Sequence, residues 1–215
     1  MLTPRKRLNE LSVLTLACMG ACAIASAESP STALVTPGQS DEPSPTVHDY
    51  RVLATKKTST AEKELNEAGE AGYRYGAVMG GETGFGGSEV VVVMTKRADA
   101  PSESHYQYKL LATSKTSTME KELQEAGEAG FELRGQTVFS STFGSKEVVL
   151  IMEREVAGTP KAYEYKLLAT TKTSTMQKEL LEAGQAGFEL VGLTVASTAF
   201  GGSELITVLR RERSQ

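Results

Sequence analysis

Apolar and polar positions follow one pattern that recurs three times along the chain. Each copy begins with a short apolar segment, continues with a charged segment of helical periodicity, and ends with two further strand-like segments; the first segments begin at Tyr50, Tyr108 and Tyr165. Self-similarity of this kind is typical of tandem-repeat proteins, in which each unit is one small motif. The pattern predicts the α+β class, built from three tandem β-α-β-β repeats, each a three-stranded sheet with one helix.

The charged segment of each repeat has the periodicity of a short amphipathic helix. In the first copy, Leu65 and Ala68 place a narrow apolar stripe on one side, and Gly72 suits a left-handed C-terminal cap. An inner glycine, Gly69, costs about 0.5–1 kcal/mol relative to alanine inside a helix. We expect the helix backbone to approach the sheet closely at this glycine, with an early end of the helix as the alternative. In repeats 2 and 3 the cap glycines are Gly130 and Gly187, and the inner glycines are Gly127 and Gly184.

The last segment of each repeat is apolar on both faces, as residues 90–94 show. Such a strand normally lies in the centre of a sheet, because both of its faces need cover. We therefore predict that the third strand lies between the first and the second, antiparallel to each. A right-handed crossover through the helix then joins the two edge strands.

Neighbouring repeats have to pack together, because a unit of roughly 50 residues is marginal alone. The helix covers one face of each sheet, and adjacent repeats are the natural cover for the other. We expect the three sheets to share their open faces in a pseudo-threefold ring or in a stack. The second strand of repeat 3 alternates Glu189, Val191, Leu193 and Val195, where repeat 2 has a solvated pattern. This apolar strand predicts inter-repeat packing, with a docking surface for another protein as the alternative.

The first residues follow the order of a secretory signal: a basic start at Arg5, an apolar stretch over residues 11–25, and small residues that end at Ala27. We predict a signal peptide over residues 1–27 that is cleaved after Ala27. Residues 28–48 are rich in serine and proline, which predicts a flexible leader. The repeats are expected at residues 49–98, 106–156 and 163–213.

This signal predicts a periplasmic or secreted protein. The apolar stretch is shorter than the roughly 20 residues that cross a bilayer, so we expect no membrane insertion after cleavage. Both cysteines, Cys18 and Cys22, lie within the signal, and the mature chain then forms no disulfide. A lipid anchor is the less favoured alternative, because Thr15 and Met19 stand where lipoprotein signals usually carry an aliphatic residue.

Charge and residue types argue against several functions. The formal net charge is −4 and the chain has no basic tract, so we expect no nucleic-acid partner. The two histidines, His48 and His105, precede first strands and have no counterpart in repeat 3, which fits exposed linker positions. The sequence suggests neither a nucleophile beside a base nor a zinc-type ligand cluster. We expect a protein that is not an enzyme and that uses neither a cofactor nor a metal.

The third repeat, with YEYKLLAT, KELLEAGQAGFELVGLTV and LITVLRRE, resembles a small uncharacterised bacterial β-α-β-β family. Members of that family carry Tyr-Glu-Tyr-Lys, a short helix, Gly-Trp-Glu-Leu and a closing strand that ends in basic residues. The resemblance extends over residues 50–213. This chain departs from it at Tyr73, Phe131 and Phe188, where tryptophan is usual, and by its KTST and Phe-Gly segments. Because the family has no established activity, the resemblance implies a fold and no catalytic residue.

A KTST motif precedes the helix in every repeat. Its serines fit a Ser-x-x-Glu/Gln capping box and are predicted helix caps: Ser59, Ser117 and Ser174. Helix entry alone does not explain the lysine and the threonines. They predict an inter-repeat contact or an anion site, because helix starts favour anions and a nearby lysine strengthens this preference. The candidate residues are Lys57, Thr58, Thr60, Lys115, Thr116, Thr118, Lys172, Thr173 and Thr175.

Each repeat also carries a Phe-Gly pair in the loop before its third strand. Three loop-borne aromatic rings can form a platform for a sugar or a peptide, and folding back onto the core is the alternative. These candidate ligand-binding residues are Phe85, Phe143 and Phe200.

Together the patterns favour an exported, non-enzymatic structural or protein-interaction module of the bacterial envelope. Its repeats would bind an unknown envelope protein or self-associate through strand edges. The alternative is a small-ligand module that binds polysaccharide or an anion through the Phe-Gly loops or the KTST helix starts.

Overall fold

Three helices and nine strands make up the part of the chain that the computed structural model describes, which is residues 46–82, 87–140, 146–159, 161–197 and 202–213. All of these residues belong to the unit Ser44–Gln215. The elements are, in chain order, β1 (His48–Thr55), α1 (Thr58–Glu70), β2 (Arg74–Glu82), β3 (Ser88–Arg97), β4 (Tyr106–Thr113), α2 (Thr116–Glu128), β5 (Glu132–Ser140), β6 (Lys146–Glu155), β7 (Tyr163–Thr170), α3 (Thr173–Gln185), β8 (Glu189–Ser197) and β9 (Ser203–Glu212). The α+β class and the three tandem β-α-β-β repeats are confirmed. The predicted signal peptide and residues 28–45 of the predicted leader lie outside the described residues.

Each repeat forms its own three-stranded sheet, with the strand orders β1-β3-β2, β4-β6-β5 and β7-β9-β8. The third strand of each repeat is central and pairs antiparallel with both neighbours, as its two apolar faces predicted. In β6, every residue from Val148 to Met152 is buried, so both faces of this strand are covered.

The second strand of each repeat contains a register irregularity near its start. In β2 the pairing with β3 shifts between Tyr75 and Ala77. The same shift occurs in β5 and β8, at Leu133/Gly135 and Leu190/Gly192. A bulge of this kind re-aims the side chains that follow it, so it changes which residues of the strand share a face.

Each helix packs its apolar stripe inward and ends at a left-handed glycine. In α1, Leu65 and Ala68 are buried. Gly72 has a φ of 84°, and the amide of Tyr73 donates to the Ala68 carbonyl at 3.0 Å, which closes a Schellman turn. The predicted glycine caps are confirmed. The same left-handed glycine follows the other two helices, at Gly130 and Gly187.

The repeats form a linear stack in which each of the first two helices bridges two repeats. Helix α1 packs against β1 of its own repeat and more extensively against β4 of the next, and α2 packs likewise against β4 and β7. The second strands pack on one another, β2 on β5 and β5 on β8. One buried cluster joins α1, β3, β4 and β6, and another joins α2, β6, β7 and β9. Of the two arrangements that the sequence left open, the structure shows the stack.

Candidate functional site

Each junction between repeats joins two different surfaces. The trailing face of a repeat is the side of its helix and second strand that meets the following repeat; in repeat 1 it includes Asn66, Gly69 and Tyr75. The leading face is the side of the first and second strands that meets the preceding repeat; in repeat 2 it includes Tyr108 and Gly135. Both junctions therefore pair a trailing face with a leading face.

The inner helix glycines allow the repeats to approach closely. A Cβ atom on Gly69 would overlap a backbone carbonyl of β4 and lie 2.9 Å from the Tyr108 ring. A Cβ atom on Gly127 would overlap a carbonyl of β7 and lie 2.8 Å from the Tyr165 ring. The predicted close approach is confirmed at these two glycines, although the neighbour is the first strand of the next repeat. It is wrong at Gly184: among the described residues, nothing beyond its own helix lies within 4 Å of that position.

Side chains of α1 also form hydrogen bonds with backbone amide and carbonyl groups at the edge of β4. The Tyr108 amide donates to the Asn66 side-chain oxygen, and the Asn66 side-chain amide donates to the Tyr108 carbonyl, both at 2.9 Å. The Leu110 amide donates to Glu62 Oε2 at 2.9 Å. At the second junction Gln124 accepts from a β7 amide at 3.2 Å. Edge strands present unpaired polar groups, and each such hydrogen bond contributes about 0.5–1.5 kcal/mol.

A buried carboxylate, Glu153, lies at the first junction and is only 4% exposed. It accepts hydrogen bonds from Arg74 Nη2 at 2.8 Å, from the Tyr108 hydroxyl at 2.6 Å and from the Tyr75 amide at 3.1 Å. Burial, and after it the negative charge of Glu153, raises the pKa of Tyr108 well above its ordinary value. The tyrosine therefore stays protonated throughout the neutral range, and its hydroxyl donates a hydrogen bond to Glu153.

The second junction has an ion pair with the opposite order of charges. Glu132 occupies the repeat position of Arg74, Arg210 occupies that of Glu153, and the two form an ion pair. Each arginine also lies over a tyrosine ring of a first strand, at 4.8 Å for Arg74 and 4.9 Å for Arg210. An exchange of repeats would bring like charges together, so the pairs favour one order of repeats. Sequence reasoning missed them; the available signal was the opposite charges at equivalent positions of different repeats.

The trailing face of repeat 3 meets no further repeat within the described part of the chain, and it is apolar. Leu190, Leu193 and Val195 share that face of β8 and are 54%, 51% and 56% exposed. Leu181 of α3, also exposed, stands where the two junctions have an amide side chain. Simple alternation along the strand placed Val191 with Leu193 and Val195. The bulge shifts that alternation, and Val191 packs instead into the buried cluster of the second junction.

The leading face of repeat 1 is the opposite end of the stack, and it is also apolar. Tyr50 is 64% exposed, whereas its equivalents Tyr108 and Tyr165 are 3% and 5% exposed. Val52 and Met79 share this face of the sheet and are more than half exposed. Terminal repeats of stacked proteins normally present a polar outer surface. Two apolar end faces instead mark two candidate interaction surfaces.

The KTST serines do not cap the helices. The N-cap of α1 is Lys57, whose backbone is extended (φ −128°, ψ 126°), and Ser59 is already the second helical residue. No side-chain hydrogen bond caps α1, and the glutamate of the expected capping box, Glu62, binds β4 instead. The Thr55 hydroxyl accepts from the Lys57 amide at 3.2 Å and organises the preceding turn. The caps predicted at Ser59, Ser117 and Ser174 are therefore wrong.

The remaining KTST residues lie at the helix starts, one motif per repeat. Lys57, Lys115 and Lys172 are exposed, and none of them forms a hydrogen bond or an ion pair through its side chain within the described part of the chain. Among the threonines, Thr58 and Thr116 are half-buried, and the others are exposed: Thr60, Thr118, Thr173 and Thr175. An inter-repeat contact or an anion site at these residues stays a prediction. The other ligand-binding candidates, Phe85, Phe143 and Phe200, lie outside the described residues.

The basic side chains that line the cleft beside Glu153 already form hydrogen bonds or ion pairs within the stack. A cleft of about 460 Å³ beside Glu153 has Arg74, Arg154 and Lys161 in its lining. Arg74 binds Glu153, Arg154 donates to the carbonyl that follows α2 at 2.7 Å, and Lys161 pairs with Glu212 at 3.1 Å. Across the described ranges, no group of three or more potential metal ligands occurs. No helix in those ranges is long and apolar enough to span a membrane.

The fold and its junctions define an open stack of three α+β repeats with two different apolar end faces. No protein-family model, no curated protein and no solved structure matches this chain. The resemblance to a bacterial β-α-β-β family stays a prediction.

Proposed function

We propose that this protein is an exported, non-enzymatic structural module of the bacterial envelope that binds protein through the two ends of its stack. One observation carries the proposal: positions that are buried at the internal junctions are exposed at the ends. Tyr50 is exposed and Tyr108 is buried; Leu190 is exposed and Leu133 is buried. Export is supported by the signal-like residues 1–27.

Burial of the end faces supplies the driving force for binding. Removing apolar surface from water contributes about 25 cal/mol per Å², or about 1.5–3 kcal/mol for a fully buried aliphatic side chain. Open apolar faces are an aggregation liability unless a partner covers them. The large side chains that a partner would cover are Tyr50, Val52, Met79, Leu181, Leu190, Leu193 and Val195.

Site-specific photocrosslinking in the native cells tests this function. A photoreactive residue at Leu193 on the trailing face, or at Tyr50 on the leading face, is expected to capture protein. The matched control is the same residue at Lys121, whose side chain is 78% exposed on α2 and belongs to neither end face. Capture at both faces that does not exceed capture at Lys121 would contradict the proposed function.

A further inference from the structure

The two end faces are the two halves of one junction. Within the chain a trailing face meets a leading face twice, and each time a helix glycine lies against a tyrosine of the next repeat. Among the described residues, neither the trailing face of repeat 3 nor the leading face of repeat 1 meets another repeat. We propose that the leading face of one copy docks on the trailing face of a second copy, so that the stack continues from chain to chain. This inference rests on the proposed protein-binding function and names the partner.

Gly184 points most directly to a second copy. Its φ is not left-handed, so no turn requires glycine at this position, and glycine inside a helix is less favourable than alanine. At Gly69 and Gly127 the next repeat explains the glycine, because a Cβ atom would collide with the first strand that follows. A second copy that presents Tyr50 gives Gly184 the same role.

The second strands are complementary in the same way. At the second junction Gly192 lies against Gln136 and Leu133, because a Cβ atom there would overlap the Gln136 side-chain oxygen and lie 3.2 Å from Leu133. Leu190 is the repeat-3 equivalent of Leu133, and Ala77 is the repeat-1 equivalent of Gly192. Both are exposed. The Ala77 methyl group adds a Cβ atom at this position, where it would meet Leu193, the repeat-3 equivalent of Gln136, whose flexible side chain can rotate away. Continuing the stack therefore places Leu190 of one copy over Ala77 of the next.

Charge also permits contact between copies. The trailing position of Arg74 and Glu132 is Glu189 in repeat 3, and the leading position opposite is Thr95 in repeat 1. Glu189 would therefore meet an uncharged residue, whereas a leading face like that of repeat 2 would place it against Glu153. Association of separate chains also costs translational and rotational freedom, so we expect the assembly to depend on protein concentration.

Variants blocked at opposite ends test the inference. Tyr50→Asp places a charge in the leading face, and Leu193→Glu places one in the trailing face. Both side chains are more than half exposed, so neither change is expected to unfold the single chain, which thermal melting checks. Sedimentation velocity of the full chain over a wide concentration range is expected to show growing mass for the wild type. Each variant alone is expected to remain a single chain.

A mixture of the two variants gives the sharpest outcome. It retains one intact trailing face, on Tyr50→Asp, and one intact leading face, on Leu193→Glu. We expect one chain of each to pair and the complex to grow no further, because a heterologous contact joins unlike surfaces. The inference is overturned by a wild type that stays a single chain at every concentration, by a variant that pairs with itself, or by a mixture that does not associate.

The photocrosslinks separate failure of this inference from failure of the proposed function. Capture of a different protein at Leu193 or Tyr50, with a purified chain that does not self-associate, overturns the second-copy inference and leaves protein binding in place. Capture of the same chain's own residues 1–45 overturns the inference as well. Equal capture at the end faces and at the Lys121 control contradicts both the second-copy inference and the proposed function.

Discussion

Single glycines set how closely the repeats stack. Gly69, Gly127 and Gly184 occupy the same position in α1, α2 and α3, but only the first two face a tyrosine of a following repeat. There the missing Cβ outweighs the cost to the helix, because an overlap with a backbone carbonyl cannot be relieved by a side-chain rotation. Gly184 bears the same cost without that contact in the single chain.

Alanine at these three glycines is expected to have opposite effects on stability. Gly69→Ala and Gly127→Ala overpack a junction, which costs about 1–3 kcal/mol, whereas Gly184→Ala stabilises the single chain by up to about 0.5–1 kcal/mol. Gly184→Ala is also expected to weaken self-association. Urea unfolding at low protein concentration and sedimentation velocity measure the two effects. A Gly184→Ala chain that associates as strongly as the wild type contradicts the role given to this glycine.

The hydroxyl of Tyr165 couples the second junction to pH. Burial raises the pKa of Tyr165 to about 12, and the hydroxyl accepts from the Leu133 amide at 2.8 Å and donates to the Phe131 carbonyl at 3.1 Å. The unfolded value is about 10. The pKa of Tyr165 is therefore higher in the folded state than in the unfolded state. Its contribution to the free energy of unfolding is complete below pH 10 and is lost as the pH rises through 12.

Urea unfolding between pH 7 and pH 12 checks this linkage. The free energy of unfolding is expected to lose about 2 kcal/mol from this group between pH 10 and pH 12. Tyr165→Phe removes that loss, and at pH 7 it costs about 1–3 kcal/mol because the Leu133 amide is left unpaired. The exposed Tyr50→Phe, which removes a hydroxyl outside the junctions, is the control. Equal slopes for the wild type and Tyr165→Phe would show that the junction does not hold this hydroxyl.

At the scale of elements, the sequence predicts the helices and strands better than their junctions. The central third strand was predictable because a strand that is apolar on both faces has to be covered, and Gly72 marked a helix end. Ser59 was misassigned because Ser-x-x-Glu is a local motif, whereas Glu62 binds the next repeat. The orientation of Val191 was not predictable, because a bulge interrupts the alternation of β8.

The ion pairs at the junctions hold neighbouring elements in order, which a charge exchange tests. Glu132→Arg or Arg210→Glu alone brings like charges together and is expected to cost about 1.5–3 kcal/mol. The double exchange recreates the polarity of the first junction and is expected to recover most of that loss in a double-mutant cycle by urea unfolding.

A solvated pair provides the control for this exchange. Lys121 and Glu125 lie 3.8 Å apart on the exposed side of α2, and reversing them is expected to change stability by less than about 0.5 kcal/mol. If the doubly exchanged junction is no more stable than the two single changes predict together, this pair does not order the repeats.

As a whole, the described molecule is a stack without end caps. Repeats in a stack are stable because neighbours cover them, and repeats at the ends have one neighbour fewer. The sheet of repeat 2 is covered on both faces, while Tyr50 on one end and Leu193 on the other remain exposed. Docking of copies end to end would give the outer repeats the same cover and would turn a short chain into an extended assembly.

Cysteine crosslinking between the end faces tests most directly the claim that the ends continue the internal junction. Asn66 and Tyr108 are joined by two hydrogen bonds at the first junction. If the ends continue that junction, their equivalents, Leu181 of one copy and Tyr50 of the next, would become neighbours. A disulfide needs a Cα separation of about 4.4–6.8 Å. The chain would carry Leu181→Cys and Tyr50→Cys, with Cys18 and Cys22 replaced by alanine.

Mild oxidation of that chain is expected to give a ladder of multimers on a non-reducing gel, and mass spectrometry is expected to identify the link between positions 181 and 50. A matched chain with Lys121→Cys and Tyr50→Cys is expected to give no ladder. Crosslinking of the first chain that is no greater than that of the second would contradict the claim.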